Sequence, residues 1–125
     1  TGIIRVHHFW MALDAGVVVH PDNVRAQMEG GILMGMSSVL KEQITIEEGR
    51  VQQTNYNNYQ LLRMQDIPDT VETYLIDSEV HPEGVGETAT PMVAGALANA
   101  FLKLTGKRLR HLPFTPERVL AVLNS

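Results

Sequence analysis

A glycine-rich loop presents one carboxylate directly before a predicted helix. Residues 81–91 are His-Pro-Glu-Gly-Val-Gly-Glu-Thr-Ala-Thr-Pro, so Glu87 follows Gly84 and Gly86. Glycine lacks a Cβ, and the backbone there can adopt positive φ or approach another group closely, as it does around bound ligands. The threonine and proline at 90–91 predict a helix start, whose positive dipole end suits the carboxylate of a general base. The loop therefore predicts a ligand site with Glu87 as base; the alternative is an ordinary turn with a solvated glutamate.

The same loop also fits the G-x-G-x-x-A pattern of dinucleotide-binding folds over residues 84–89. Its context argues against that function. Residues 81–83 separate the glycines from any strand, and Glu87 would lie where a pyrophosphate must bind. About 20 residues further on, where an acidic ribose ligand is expected, the chain has Lys107 and Arg108. A nucleotide-binding loop is therefore not predicted.

Composition narrows the function classes. A net charge of −4 without Lys/Arg runs gives no electrostatic footprint for nucleic acid or an anionic membrane. With no cysteine, the chain can hold neither a disulfide nor a thiolate-bound zinc or iron–sulfur cluster. The histidines are scattered, and the adjacent His7 and His8 would point to opposite faces of a strand. No metal ligand is therefore predicted in this chain, and no apolar run approaches the ~20 residues of a membrane span.

Hydrophobic periodicity predicts an α+β fold, with a mixed sheet that includes a hairpin, packed against a glycine-rich helix and a C-terminal helix pair. The predicted strands cover residues 3–13, with a central place in the sheet, then 43–46 and 51–54 as the hairpin, and 71–77. The predicted helices run over 21–40, from Pro91 to a left-handed cap at Gly106, and over 115–123.

The first predicted helix contains three glycines, Gly30, Gly31 and Gly35. Each costs about 1 kcal/mol relative to alanine, so close packing should compensate. Gly31 and Gly35 share one face, and Gln27 lies on that face one turn earlier. The face predicts close approach of another group; in the simpler interpretation a strand or helix crosses there and Gln27 is merely polar.

Six stretches now stand in a characteristic order: D-A-G-V-V-V-H-P-D at 14–22, Q-M-E-G-G at 27–31, N-Y-N-N-Y at 55–59, G-V-G-E at 84–87, A-L-A-N-A at 96–100 and T-G-K-R at 105–108. Together they resemble the C-terminal part of the molybdenum-binding subunit of the xanthine oxidase family, closest to its isoquinoline 1-oxidoreductase and aldehyde dehydrogenase branch. Each motif is weak alone, but the ordered set is specific and covers nearly the whole chain. The resemblance implies that residues 1–125 form the C-terminal lobe of a larger molybdopterin-binding domain.

The resemblance also implies roles for individual residues. Glu87 matches the glutamate that takes a proton from a molybdenum-bound hydroxyl when an aldehyde or N-heterocycle is oxidised with oxygen from water. Gln27 matches a glutamine that hydrogen-bonds the pterin cofactor. Gly84, Val85 and Gly86 match the loop whose backbone lies against the metal centre. The pterin would also explain a helix face without side chains near Gln27. Ala89 replaces the glycine usual in the family, which puts the path of the loop in question and not the glutamate.

Finally, the resemblance implies partners. The molybdenum–pterin cofactor, in its plain or cytosine dinucleotide form, would be shared with the remainder of the large subunit. Iron–sulfur clusters would lie on a partner subunit, with a small-molecule substrate and a cytochrome c as electron acceptor. We therefore expect a partial domain that is inactive alone, from a bacterial protein that is periplasmic or membrane-associated, with the cytoplasm left open. The alternative is a non-catalytic assembly or interaction module that keeps the fold.

Overall fold

The computed structural model describes all residues 1–125 and confirms the α+β class. The elements, in chain order, are β1 (His8–Leu13), α1 (Pro21–Leu40), β2 (Ile46–Glu47), β3 (Arg50–Val51), a 3-10 turn (Met64–Asp66), β4 (Thr70–Leu75), α2 (Met92–Thr105) and α3 (Pro116–Leu123). None of the three helices combines the length and the apolar character that a membrane crossing needs.

The predicted mixed sheet is divided into two small sheets. β1 pairs with β4 in parallel, with Phe9 opposite Val71, and β2 pairs with β3 as the predicted hairpin. The central place predicted for the first strand is wrong within this chain, because β4 is its only neighbour and β1 begins at His8. Phe9 and Leu13 are buried, whereas Trp10 on the other face is 59% exposed. The apolar character of the second face therefore finds no cover within residues 1–125.

α1 has the bounds that its sequence predicts. The His20 ring accepts a hydrogen bond from the Asn23 backbone N–H at 3.2 Å, and Pro21 takes the first helical position. Met28, Ile32 and Met36 recur every four residues along one face and are fully buried. α1 therefore contributes the most deeply buried part of the core.

At two of the α1 glycines, other residues of the chain take up the space where a side chain would be. A Cβ on Gly35 would stand 2.7 Å from the Thr90 carbonyl oxygen and from Val93 Cγ2, and one on Gly31 would stand 3.0 Å from Ala89 Cβ. Close packing is confirmed, but the occupant is the start of α2. The expectation that this face stays free for a pterin is therefore wrong for Gly31 and Gly35. At Gly30 no atom of the chain lies within 4 Å of where a Cβ would be.

The start of α2 differs from its prediction. The Thr90 side chain does not cap the helix, which begins at Met92 and has Pro91 before it without a side-chain cap. The Thr90 hydroxyl instead donates to the Gly31 carbonyl at 3.2 Å, because α1 crosses immediately beside it. The other helix ends agree with the sequence: Gly106 closes α2 at φ 71°, and Thr115 caps α3.

Side-chain bonds tie the segment between α1 and β4 to the end of α1. The Ser37 hydroxyl accepts from the Leu62 backbone N–H at 2.9 Å, and Tyr59 donates to Glu42 at 2.7 Å. Lys41 donates to Asp66, and this bond holds the pKa of the Asp66 carboxyl below its ordinary value. The hairpin and its flanks are thus attached to α1, away from the glycine loop.

The two kinds of α1 glycine should respond oppositely to one added methyl group. Gly35→Ala should destabilise the α1–α2 contact by about 1–3 kcal/mol, because a Cβ overlaps Thr90 and Val93. Gly30→Ala, the matched control, should stabilise α1 by up to about 1 kcal/mol. Amide hydrogen exchange in α1 and α2 of the full-length protein, prepared without cofactor so that the surface at Gly30 is free, measures both. Equal exchange in the two variants would show that Gly35 is not a packing requirement.

Candidate functional site

The glycine loop is attached at its entry to the segment that follows β1. The Glu83 backbone N–H donates to the Ala15 carbonyl at 2.9 Å, and the Val17 N–H donates to the Val80 carbonyl at 3.0 Å. Gly16 between them has φ +67°, and a Cβ there would stand 2.2 Å from the His81 carbonyl oxygen. Gly16 is therefore a structural requirement of the site. The spacing of residues did not predict this role, although Asp14-Ala15-Gly16 directly follows the predicted first strand.

The middle and exit of the loop are attached to α1. The Gln27 side-chain nitrogen Nε2 donates to the Gly86 carbonyl oxygen at 2.7 Å. At the exit, Ala89 is buried against Gly31, whose carbonyl accepts the Thr90 hydroxyl. The helix thus contacts the chain on both sides of residues 87 and 88.

The structure brings together Gln27 and Gly86, which lie 59 positions apart in sequence. Val85 is half-buried against the core, so its side chain anchors the loop and only its backbone is available to a ligand. Gly84 accepts a weak 3.4 Å hydrogen bond from the Thr88 hydroxyl. Gln27, which was predicted as a cofactor ligand, therefore also supports the loop.

Glu87 is exposed, and no hydrogen bond within the chain engages its carboxylate. Its backbone follows the bonded Gly86 carbonyl and precedes the buried Ala89. The arrangement presents a carboxylate with free lone pairs on a backbone that is attached on both sides. Chemically, such a group can accept a proton from a ligand placed beside the loop.

The loop glycines are not explained by backbone strain. Positive φ is found at Gly2, Gly16, Gly49 and Gly106, so the positive φ considered for Gly84 and Gly86 is wrong. Neither has an atom of the chain within 4 Å of its Cβ position, and the same holds for Gly30, one turn from Gln27. Backbone without side chains therefore borders open space near Gln27. A bulky, flat ligand with hydrogen-bonding edges fits such a surface.

Two further observations concern metal ligands and cavities within this chain. No group of three His, Cys, Asp or Glu side chains is placed to hold a metal ion. A cavity of about 560 Å³ lies elsewhere, between residues 2–10 and the α2 and α3 helices, and its lining is mainly apolar. Its lining includes no residue of the glycine loop.

Comparison with known proteins identifies a family. The family model of the molybdopterin cofactor-binding domain matches residues 1–68. The chain is 38% identical to the beta chain of isoquinoline 1-oxidoreductase from Brevundimonas diminuta, covering 90% of this chain and 14% of that protein. It is 31% identical to the molybdenum-binding subunit of the Escherichia coli aldehyde oxidoreductase, covering 96% of this chain and 17% of that protein.

Solved structures share this fold. Quinoline 2-oxidoreductase from Pseudomonas putida 86 superposes with a TM-score of 0.86 at 23% identity, over 97% of this chain and 16% of that one. Aldehyde oxidoreductase from Desulfovibrio desulfuricans superposes with a TM-score of 0.75 at 27% identity, over 89% of this chain and 12% of that one. The chain thus spans only a small part of the proteins it matches.

Gly86 and Gly95 provide a matched pair for locating the ligand surface, because neither has a neighbouring atom at its Cβ position. Gly86→Ala should leave the fold intact yet lower cofactor content in the full-length protein several-fold, since the added methyl group enters the open space beside the loop. Gly95→Ala, on exposed α2 surface, should do neither. Molybdenum and pterin quantification on purified protein measures the effect. Equal cofactor content in both variants would remove Gly86 from the ligand surface.

Proposed function

Since the chain belongs to the molybdopterin cofactor-binding domain family, we propose that it supplies the catalytic base of a molybdenum hydroxylase, and that the base is Glu87. The observation that carries this proposal is the loop itself. An exposed carboxylate without hydrogen-bond partners in the chain stands on backbone attached to α1 through Gly86 and Ala89. A positioned carboxylate of this kind is the ordinary form of a general base.

The residues present fit the cofactor that the family name implies. Gly84 and Gly86 leave open space beside the loop, and one N–H and the oxygen of the Gln27 amide have no partner within the chain. Gln27 and the backbone of Gly84, Val85 and Gly86 would hold the molybdenum–pterin cofactor, in its plain or cytosine dinucleotide form. When bound, that cofactor would supply the redox centre at which an aldehyde or N-heterocycle is oxidised with oxygen from water.

In this proposed reaction, Glu87, Gln27 and the loop glycines each have one role. A Glu87 carboxylate oxygen would accept the proton released by the water that supplies the oxygen. The glycines would allow the loop backbone to approach the cofactor, and Gln27 would hydrogen-bond it. A positioned general base contributes about 10²–10⁴-fold to the rate, and we expect the contribution of Glu87 to lie in that range.

The exposed surface supports a lobe that is completed by other segments. A monomer of this mass should expose about 6,700 Å², whereas the chain exposes 8628 Å². Trp10 is 59% exposed and Leu104 85% exposed, both on the wall of the apolar cavity. We propose that the remainder of the large subunit covers this face and that the chain alone is inactive. An iron–sulfur subunit, a cytochrome c acceptor and a periplasmic location stay predictions.

A non-catalytic interaction module is the second candidate, and the same apolar face favours it. An interaction module needs that face but has no use for an exposed carboxylate beside open glycine backbone. The two functions therefore separate at Glu87, since only the catalytic function depends on its ability to accept a proton.

Glu87→Gln nearly keeps the shape of the side chain and removes its basicity. In the full-length protein with its partners, turnover should fall by about 10²–10⁴-fold or more while cofactor content is unchanged. The control is Glu83→Gln in the same loop, where only the backbone N–H is engaged, and it should retain wild-type turnover. Steady-state kinetics normalised to molybdenum measures both variants. Turnover of the fully loaded Glu87→Gln protein within a few-fold of wild type would exclude Glu87 as the base.

A further inference from the structure

Gln27 contacts the peptide unit that leads directly into Glu87. The Gly86 carbonyl, which accepts from Gln27 Nε2 at 2.7 Å, belongs to the same planar peptide as the Glu87 N–H. Fixing that oxygen fixes the orientation of the whole peptide plane. It therefore limits the directions in which the Glu87 side chain can leave the backbone.

No other hydrogen bond joins this part of the loop to another element. The entry bond is made by Glu83 and the exit contacts by Ala89 and Thr90, while the Thr88 hydroxyl bonds within the loop, to Gly84. Between them, Gly86 has no side chain, and no atom of the chain lies within 4 Å of its Cβ position. A glycine peptide so placed rotates freely unless a hydrogen bond restrains it.

The donor residue, Gln27, lies on a helix whose next residue is buried in the core. Gln27 precedes Met28, which is fully buried together with Ile32 and Met36 on α1. The helix backbone therefore moves little at this position, and a 2.7 Å bond from its surface transmits that rigidity to the loop.

We propose that Gln27 is a positioning residue for Glu87, acting through its hydrogen bond to the Gly86 carbonyl before any cofactor binds. This role rests on the proposed function of Glu87 and is separate from the role of Gln27 as a cofactor ligand. The donor N–H serves the loop, whereas the amide oxygen and the second N–H remain available to the cofactor.

Substitutions can separate the donor from the acceptor. Gln27→Glu keeps the shape but removes the donor and places an acceptor opposite the Gly86 carbonyl. Gln27→Lys keeps a donor and removes the acceptor. The control is Asn23→Asp, the same amide-to-acid change one turn earlier on α1, where the side chain makes no hydrogen bond.

The first readout is cleavage after Glu87 by a glutamate-specific protease in the full-length protein prepared without cofactor, because proteolysis follows the local opening of a loop. Cleavage of Gln27→Glu should be about tenfold faster than that of wild type, as expected for loss of one restraining hydrogen bond. Gln27→Lys and Asn23→Asp should remain close to wild type. In loaded enzyme, Gln27→Glu should lower kcat by about tenfold or more per molybdenum at unchanged KM.

Each outcome bears on a distinct claim. Unchanged cleavage after Glu87 in Gln27→Glu would overturn the positioning role, and so would fast cleavage in Gln27→Lys, because the donor would then not be the determinant. Unchanged cleavage with reduced cofactor content would overturn it too, and would leave Gln27 as a cofactor ligand alone. The assignment of Glu87 as base does not depend on these cleavage rates, and it fails only if Glu87→Gln remains active.

Discussion

The crossing of α1 with the start of α2 determines where every residue of the site lies. A Cβ on Gly35 would overlap the Thr90 carbonyl and Val93, and one on Gly31 would press on Ala89 at 3.0 Å. This crossing places the exit of the glycine loop against α1. Gln27, one turn before Gly31 on the same helix, then reaches the middle of the loop. The helix penalty of the two glycines is thus offset by the contact that creates the site.

The glycines of the site fall into two physical classes. Gly16, Gly31 and Gly35 are closed, because other atoms of the chain lie within 3.0 Å of the Cβ position, and they maintain the fold. Gly30, Gly84 and Gly86 are open and have no such reason within this chain. An open glycine beside a bonded glutamine indicates a neighbour outside residues 1–125. The apolar face around Trp10 and Leu104 leads to the same inference for the surface formed by residues 2–10, α2 and α3.

Local sequence rules predicted α1, the Gly106 cap and the Thr115 cap, because each depends on residues within a few positions. Local rules gave wrong predictions where a contact depends on a segment distant in the sequence. The Thr90 hydroxyl bonds Gly31 and not its own helix, and a strand apolar on both faces proved to have one neighbour. The pairing of Gln27 with Gly86 joins two predicted site residues, but its hydrogen bond was visible only in the structure. For Glu87, the residues of the loop left both a general base and an ordinary turn open, and the resemblance to a family added the catalytic role, which stays a prediction.

The central claim is that the open glycine backbone beside Gln27 receives the cofactor and that Glu87 faces it. A structure of the intact, cofactor-loaded protein measures this most directly. The account predicts pterin atoms within about 4 Å of the backbone at residues 84–86, with the Glu87 carboxylate directed toward the metal centre. A structure in which another polypeptide segment fills that space, with Glu87 turned to solvent, would contradict it.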